Sequence, residues 1–178
     1  ALARSYSLSK DRMVYSFELR EAFWSDGSAI MAQEIVDSWL RFLHPQTPAK
    51  NRYLMHEVIE NAEGYTQGLV PAAEVGILAL GQRTLEVRLK QPAPDFLARL
   101  AHPAFAVLPP GLILGGAAQW SLAGSLPNGG PYRLKVSEAS GLLSLQKNLN
   151  YWDAPRVDLD EIHLIQGLSS RESLEAYR

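Results

Sequence analysis

The sequence has no cysteine among its 178 residues. Without cysteine, neither a disulfide framework nor a thiolate metal site can form. The compartment stays open on this evidence alone, because cysteine-free chains suit an oxidising periplasm but also occur in the cytosol. Charge is modest as well: charged residues make up 20% of the chain and the net charge is −2. Lysine and arginine are scattered rather than gathered into a basic stripe, so we predict no nucleic-acid partner.

Long hydrophobic runs are also missing. The longest apolar stretch, residues 104–118, is interrupted by Pro109, Pro110 and several glycines. It falls short of the roughly 18–20 apolar residues that a membrane-spanning helix needs. Residues 1–9 lack the apolar core of a signal peptide. We therefore expect a soluble chain that is already processed or truncated.

Alternating apolar and polar residues predict several strands. Val14–Arg20 and Thr84–Lys90 alternate cleanly, as half-buried strands do. A hairpin follows over residues 132–145, with its turn near Ser140-Gly141, and a further strand is expected over Ile162–Ile165.

Helical spacing of apolar residues predicts an amphipathic helix over Ala32–Leu43 and a second over Tyr53–Tyr65, ended by Gly68. A short helix over Asp95–Ala101 follows Pro94, and another begins at Ser169. Residues 104–131 are rich in glycine and proline and indicate a long irregular connection. Strands and helices in this order favour an α+β fold over a regular repeat of strand and helix.

The motifs of common enzymes and metal sites are absent from the sequence. There is no HExxH pair and no G-x-S-x-G elbow, and the glycines at 111–116 and 129–130 do not match a phosphate loop. The four histidines, His44, His56, His102 and His163, show no metal-ligand spacing. We expect Ser25 and Asp26 to form a local turn. The sequence thus predicts no catalysis, no metal and no cofactor.

Several segments, taken in order, resemble the dipeptide/oligopeptide-binding proteins of bacterial ABC importers, which are the extracellular solute-binding proteins of family 5. The segments with this resemblance are Ala1–Tyr6, Ser9–Asp11, Tyr15–Arg20, Trp24–Gly27, Ala32–Trp39, Asn61–Tyr65, Thr84–Leu89, Pro92–Leu97, Asn128–Leu134 and Asn148–Trp152. Each segment is short, but the ordered set spans nearly the whole chain.

The resemblance implies a periplasmic-binding-protein-like fold, in which two lobes close on a ligand and an extra domain packs on one of them. Residues 1–120 would form the extra domain and residues 121–178 part of the first lobe. The family implies capture of peptides or similar solutes for ABC permease subunits, at a periplasmic location or as a cell-surface lipoprotein. Tyr53 would contact the ligand, and Asn128, Gly129, Gly130 and Pro131 would form the hinge or lobe crossing.

Some residues depart from the family pattern, and several alternatives stay open. Met31 stands where the family commonly has a hydroxyl residue as the N-cap of the next helix. The chain could instead be the solute-sensing domain of a bacterial transcription regulator, a receptor for nickel, haem or oligosaccharide, or a peptide hydrolase. Because strands of the first lobe would be missing, open sheet edges predict weak self-association.

Overall fold

The computed structural model describes residues 1–114, 126–136 and 143–165, together with Ser169, Leu174 and Tyr177. None of the helices among them is long and apolar enough to cross a membrane. The chain forms two compact units. The first unit contains Ala1–Glu21 and Ala29–Ala117, and the second contains Ala22–Ser28 and Ala118–Arg178. The assignment of residues 1–120 and 121–178 to the family's extra domain and first lobe stays a prediction.

A four-stranded antiparallel sheet forms the first unit's centre. Its strands are β1 (Ala3–Leu8), β2 (Val14–Leu19), β3 (Ile77–Ala79) and β4 (Thr84–Arg88), in the order β1-β2-β4-β3. The alternation predicts β2 and β4 correctly, because each buries one face. It gives no signal for β1, an edge strand in which every residue after Ala3 is exposed.

Helix α1 (Ala32–Leu43) covers this unit's core and confirms the prediction from helical spacing. Its buried face includes Ile35, Trp39 and Leu43. The indole Nε1 of Trp39 donates a hydrogen bond to the Phe105 carbonyl at 3.0 Å. The rings of the two residues pack edge to face, with their centroids 5.2 Å apart. The buried Ser38 hydroxyl accepts the Leu108 N–H at 2.9 Å. Polar groups on α1 therefore fix the path of residues 105–108.

The predicted single helix over Tyr53–Tyr65 is wrong. The structure has two short helices, α2 (Tyr53–His56) and α3 (Ala62–Thr66). Between them, Ile59 forms a β-bridge to Leu89, and Asn61 takes a left-handed φ of 58°. Beyond Ile59 the chain pairs with the end of β4, where the Glu60 N–H donates to the Arg88 carbonyl at 3.0 Å, instead of continuing the helix. The periodicity of the apolar residues cannot reveal this pairing.

Gly68 ends α3 as expected. Its φ is +74°, its N–H donates to the Tyr65 carbonyl at 3.0 Å, and the Leu69 N–H donates to the Gly64 carbonyl at 2.9 Å. These two bonds form a Schellman motif, which satisfies carbonyls at the helix end and favours glycine at the left-handed position.

The remaining helical elements of the first unit are short. Helix α4 (Phe96–Arg99) has Asp95 as its N-cap, so it is shorter than the predicted Asp95–Ala101 and Pro94 lies outside it. The region predicted to be irregular from residue 104 contains the end of a 3-10 turn (Pro103–Phe105) and helix α5 (Pro110–Leu114). Another 3-10 turn spans Ala72–Glu74.

The second unit contains a three-stranded antiparallel sheet of β5 (Tyr132–Val136), β6 (Leu143–Lys147) and β7 (Glu161–Leu164), in that order. A 3-10 turn, Ala154–Arg156, precedes β7. The predicted strands are therefore present. The predicted turn at Ser140-Gly141 and most of the helix predicted from Ser169 lie outside the described residues. Antiparallel sheets and separate helices in the described residues confirm the α+β fold class.

Gly76 lies where three chain segments meet. Its N–H donates to the Glu60 carbonyl at 2.9 Å, and its carbonyl accepts the Arg88 N–H at 2.8 Å. A Cβ atom at this position would lie 2.6 Å from the Arg88 carbonyl oxygen. Gly76→Ala should therefore lower the free energy of unfolding by about 1–3 kcal/mol, as overpacking typically does. Chemical denaturation measures this loss of stability. Gly81→Ala is the matched control, because a Cβ atom at residue 81 would come no closer than 3.9 Å to another heavy atom. Equal stabilities of the two variants would contradict the steric argument.

Met31 is the N-cap of α1, with an extended backbone (φ −106°, ψ 157°). The Glu34 carboxylate already accepts the Met31 N–H at 3.2 Å. A serine hydroxyl at position 31 would complete the reciprocal capping box with residue 34. We expect Met31→Ser to be more stable than Met31→Ala by about 1 kcal/mol in thermal or chemical unfolding. The alanine variant corrects for the lost methionine packing, and a serine variant no more stable than alanine would show that the cap is not improved.

Candidate functional site

A polar cluster in the second unit joins three of the segments that carry the family resemblance. We call it the asparagine network and define it as Ser25, Asn128, Asn148 and Asn150. Ser25 lies in the turn Trp24–Ser28, Asn128 precedes β5, and the other two residues follow β6. Segments far apart in sequence therefore meet at one place in this unit.

The turn around Ser25 is closed by its own hydrogen bonds. The Trp24 N–H donates to the Ser28 carbonyl at 2.8 Å, and the Gly27 N–H donates to the Trp24 carbonyl at 2.9 Å. The Asp26 carboxylate accepts the Ser28 hydroxyl at 2.6 Å and the Ser28 N–H at 2.9 Å, and these bonds lower the pKa of Asp26. Gly27 has a φ of +90°, which glycine adopts without steric penalty. Asp26 thus acts as a turn-forming residue, as the sequence predicts.

Ser25 is bound through both its backbone and its side chain. Its N–H donates to the Asn128 carbonyl at 2.9 Å, and its hydroxyl accepts the Asn128 N–H at 3.1 Å. Its carbonyl accepts the Asn150 side-chain amide at 3.2 Å. These bonds hold the turn against the segment that leads into β5.

Asn148 is the buried centre of the network, with 2% of its surface exposed. Its backbone N–H donates to the Pro131 carbonyl and its side-chain amide donates to the Gly130 carbonyl, both at 2.8 Å. Its side-chain oxygen accepts the Asn150 N–H at 3.0 Å. Asn128 adds a further bond, from the Gly130 N–H to its side-chain oxygen at 3.0 Å. The segment Asn128–Pro131 is therefore held by hydrogen bonds from the side chains of Ser25 and Asn148 and by one from its own Asn128.

A surface cavity of about 380 Å³ adjoins the network. It is lined by Ser25, Arg133, Gln146, Lys147, Asn148, Leu149, Asn150 and Asp160. Arg133 donates to the Gln146 side-chain oxygen at 2.8 Å, and the Lys147 ammonium donates to the Val157 carbonyl at 2.7 Å. The lining offers hydrogen-bond donors, acceptors and charges of both signs, which is the chemistry of polar recognition.

Tyr53, the predicted ligand contact, is the first residue of α2 in the first unit, and its side chain is 56% exposed. Arg52 precedes it. The Arg52 guanidinium donates to the carbonyls of Phe42 at 3.1 Å and His44 at 2.7 Å, and also to that of Thr47. Arg52 thus anchors the start of α2 to the end of α1 and holds Tyr53 on the surface. The ligand contact by Tyr53 stays a prediction, as does the lobe crossing at Asn128–Pro131.

The histidines make local contacts. His44 accepts the Gln46 N–H, His56 hydrogen-bonds the Thr66 hydroxyl, His102 accepts the Ala104 N–H, and His163 lies 3.4 Å from the Glu161 carboxylate. Burial lowers the pKa of His56, which favours its neutral form. Within residues 1–114, 126–136 and 143–165, no group of three or more histidine and carboxylate side chains could hold a metal ion.

The asparagine network itself is not predicted from the sequence. The pattern identifies Ser25-Asp26 as a turn and Asn148–Trp152 as similar to a family segment, but assigns no contact between them. The hydrogen bonds from Ser25 span 103 residues to Asn128 and 125 residues to Asn150. Local propensity carries no information about partners at such separations. The only signal available is that both segments resemble the same family.

Loss of the Asn148 side chain should loosen the network. Asn148→Ala leaves the Gly130 carbonyl and the Asn150 N–H without this partner, and buried polar groups left unpaired cost about 1–3 kcal/mol. We expect a loss of stability in that range and faster hydrogen exchange at the amides of Ser25 and Asn128. The matched control, Asn150→Ala, removes one bond from an exposed side chain and should cost less. Unchanged exchange in Asn148→Ala would mean that the turn is held by other contacts.

Sequence comparison relates the chain to solute-binding proteins. The family model described as bacterial extracellular solute-binding proteins, family 5 Middle, matches residues 1–176. The periplasmic oligopeptide-binding protein OppA of Salmonella typhimurium is 31% identical over 96% of this chain and 32% of its own length. The dipeptide-binding protein DppE of Bacillus subtilis is 29% identical, and the probable deoxycholate-binding periplasmic protein YgiS of Escherichia coli is 30% identical. The chain spans about a third of the length of these relatives.

Solved structures agree with the sequence comparison. A periplasmic oligopeptide-binding protein of Borrelia burgdorferi, OppAIV, has a TM-score of 0.89 and 36% identity, over 99% of this chain and 35% of that one. OppA of Listeria monocytogenes bound to peptide has a TM-score of 0.88 and 30% identity, again over 99% of this chain and 35% of that one. With the family model matching nearly its whole length, the chain belongs to the bacterial extracellular solute-binding proteins of family 5.

Proposed function

We propose that the chain is part of a substrate-binding protein that captures oligopeptides or similar solutes for import by an ABC transporter. The observation that carries the proposal is the similarity to OppA of Listeria monocytogenes in its peptide-bound form, over 99% of this chain at 30% identity. Oligopeptide-binding and dipeptide-binding relatives support the same solute class. The chain spans about a third of the relatives' length, so capture is proposed for a longer protein that contains it.

In this proposal binding involves no catalysis and no cofactor. An extended peptide is held mainly through its backbone, which gives affinity with little dependence on side chains. The matched relatives bear names of binding proteins, and several are periplasmic, which supports an extracytoplasmic location and a permease partner. Residues of the asparagine network bond to one another, so we assign them a structural role rather than direct contact with the solute.

Two segments of this chain take part in the proposed capture. Tyr53 presents an exposed aromatic ring with a hydroxyl group, which can pack on and hydrogen-bond a peptide. The bonds from Arg52 to the end of α1 keep it in place. Asn128–Pro131 serves as the lobe crossing, and the network gives this segment a fixed attachment in the second unit.

A different solute is the strongest competing proposal. The probable deoxycholate-binding protein YgiS is 30% identical to this chain, close to the values for the peptide-binding relatives. Overall identity therefore does not separate a peptide from an amphipathic steroid. Nickel, haem and oligosaccharide receptors, and the sensing domain of a regulator, remain alternatives that the same experiment distinguishes.

Native mass spectrometry of the complete gene product, purified gently, tests the proposal. We expect a ladder of small peptide masses on the protein. A single discrete mass of another kind, or no bound mass even after peptides are added, would refute peptide capture.

Tyr53→Ala in the complete protein should weaken peptide binding roughly tenfold, the effect of losing about 1.4 kcal/mol of contact. Leu69→Ala, at a side chain that is 74% exposed, is the control and should leave binding unchanged.

A further inference from the structure

Asparagine is followed by glycine at one place in the chain, Asn128-Gly129. The other asparagines, Asn51, Asn61, Asn148 and Asn150, all precede residues that carry side chains. Asparagine is chemically labile, because the next backbone nitrogen can attack Cγ, its side-chain carbonyl carbon. Glycine has no side chain to obstruct this approach. Asn128 is therefore the asparagine whose Cγ is least hindered.

The backbone nitrogen of Gly129 is available for this attack. Within residues 1–114, 126–136 and 143–165, no acceptor binds the Gly129 N–H. The Asn128 side-chain oxygen accepts the Gly130 N–H at 3.0 Å. This donor stabilises the negative charge that develops on the oxygen when Cγ is attacked. The same bond closes a ring through the Gly129 peptide, so the side chain of Asn128 is folded toward the glycine backbone.

The leaving group distinguishes Asn128 from the other asparagines of the network. The side-chain nitrogen of Asn148 donates to the Gly130 carbonyl at 2.8 Å, and that of Asn150 donates to the Ser25 carbonyl at 3.2 Å. In the part of the chain that the structure describes, the Asn128 side-chain nitrogen donates to no acceptor. It can therefore depart without breaking a hydrogen bond there.

A second labile dipeptide, Asp26-Gly27, lies close to Asn128 along the same network and has the opposite environment. The Gly27 N–H donates to the Trp24 carbonyl at 2.9 Å, so its nitrogen is occupied. The bonds from Ser28 lower the pKa of Asp26, and the ionised carboxylate repels a nucleophile. The folded turn therefore protects Asp26-Gly27, whereas the bonds around Asn128 leave its reacting groups free.

We propose that Asn128-Gly129 is a modification site, at which the folded protein deamidates spontaneously to aspartate and isoaspartate. Hydroxide takes the proton of the Gly129 N–H, and the nitrogen forms a bond to Asn128 Cγ. The bond from Cγ to the side-chain nitrogen breaks, and that nitrogen takes a proton from water and leaves as ammonia. Water then opens the cyclic imide. Cleavage between the ring nitrogen and Cγ produces aspartate, and cleavage between the ring nitrogen and the original backbone carbonyl produces isoaspartate.

Isoaspartate changes the backbone at a point that the network holds. The main chain then runs through Cβ and Cγ, which inserts one carbon before Gly129. The Asn128 carbonyl that accepts the Ser25 N–H becomes a free carboxylate. The side-chain oxygen that accepts the Gly130 N–H becomes a main-chain carbonyl. Both bonds lose their present geometry, so the modified segment is loosened from the turn at Ser25.

Peptide mass spectrometry of the complete gene product, incubated in the folded state at mildly alkaline pH, tests the site. We expect Asn128 to be converted at least about tenfold faster than Asn148 or Asn150, which corresponds to about 1.4 kcal/mol in the activation barrier. The rate should rise with pH, because the glycine amide must lose its proton. Denaturant should accelerate isomerisation of Asp26 more than deamidation of Asn128. Conversion of Asn128 no faster than that of the other two asparagines would overturn the proposal.

A side chain at residue 129 tests the direct attack. Gly129→Ala should slow deamidation of Asn128 at least about tenfold, the effect of about 1.4 kcal/mol in the barrier. Gly81→Ala, in the first unit at a position with room for a Cβ atom, is the control and should deamidate at the unmodified rate. Equal rates in the Gly129→Ala variant and the unmodified chain would contradict attack by the residue 129 nitrogen.

Hydrogen exchange tests the effect of the extra backbone carbon. The isoaspartate-containing fraction, separated after incubation, should exchange the Ser25 amide faster than the unmodified protein. Asn128→Asp is the matched control, because it carries the same charge without lengthening the backbone and keeps an oxygen for the Gly130 N–H. It should exchange Ser25 at the unmodified rate. Equal exchange in the isoaspartate fraction and in Asn128→Asp would refute the loosening of the turn.

Discussion

The second unit depends on hydrogen bonds between the turn at Ser25 and residues that follow more than a hundred positions later. This unit is built from two separate stretches of chain, and the asparagine network joins them. The burial of Asn148 makes the joint specific, because its amide must find both a donor and an acceptor once it leaves water. The turn bonds Asn128 through its backbone and side chain, so the segment entering β5 is fixed before the sheet begins.

The sequence predicts those elements that are determined by a local pattern of burial, and it does not predict features that depend on distant contacts. β2, β4 and α1 have one buried face, and burial imposes a period on their residues that can be read directly. The pattern does not predict β1, because both faces of this strand are largely exposed. The break between α2 and α3 is not predicted, because it depends on a β-bridge between Ile59 and the distant Leu89. The asparagine network is not predicted for the same reason, since its hydrogen bonds join segments that are distant in sequence. Only the resemblance of these segments to one family links them before the structure is known.

The polar groups of the second unit and the exposed groups of the first have different roles. In the asparagine network, side chains bond one another and the adjacent backbone, which makes this region a rigid support. Tyr53 differs, because its backbone is anchored through Arg52 while its ring stays at the surface. The network therefore has a structural role in the second unit, and the contribution of Tyr53 to solute capture stays a proposal.

The order in which the chain is synthesised gives the turn at Ser25 a further consequence. Residues 22–28 leave the ribosome about a hundred residues before Asn128, their main partner. At typical rates of about 5–20 residues per second, the turn waits on the order of 5–20 s. During this time β2 and α1 on either side can already fold into the first unit, while Trp24, almost completely buried in the finished structure, stays in water. The joint between the two stretches of the second unit can therefore form only after the later stretch has been synthesised.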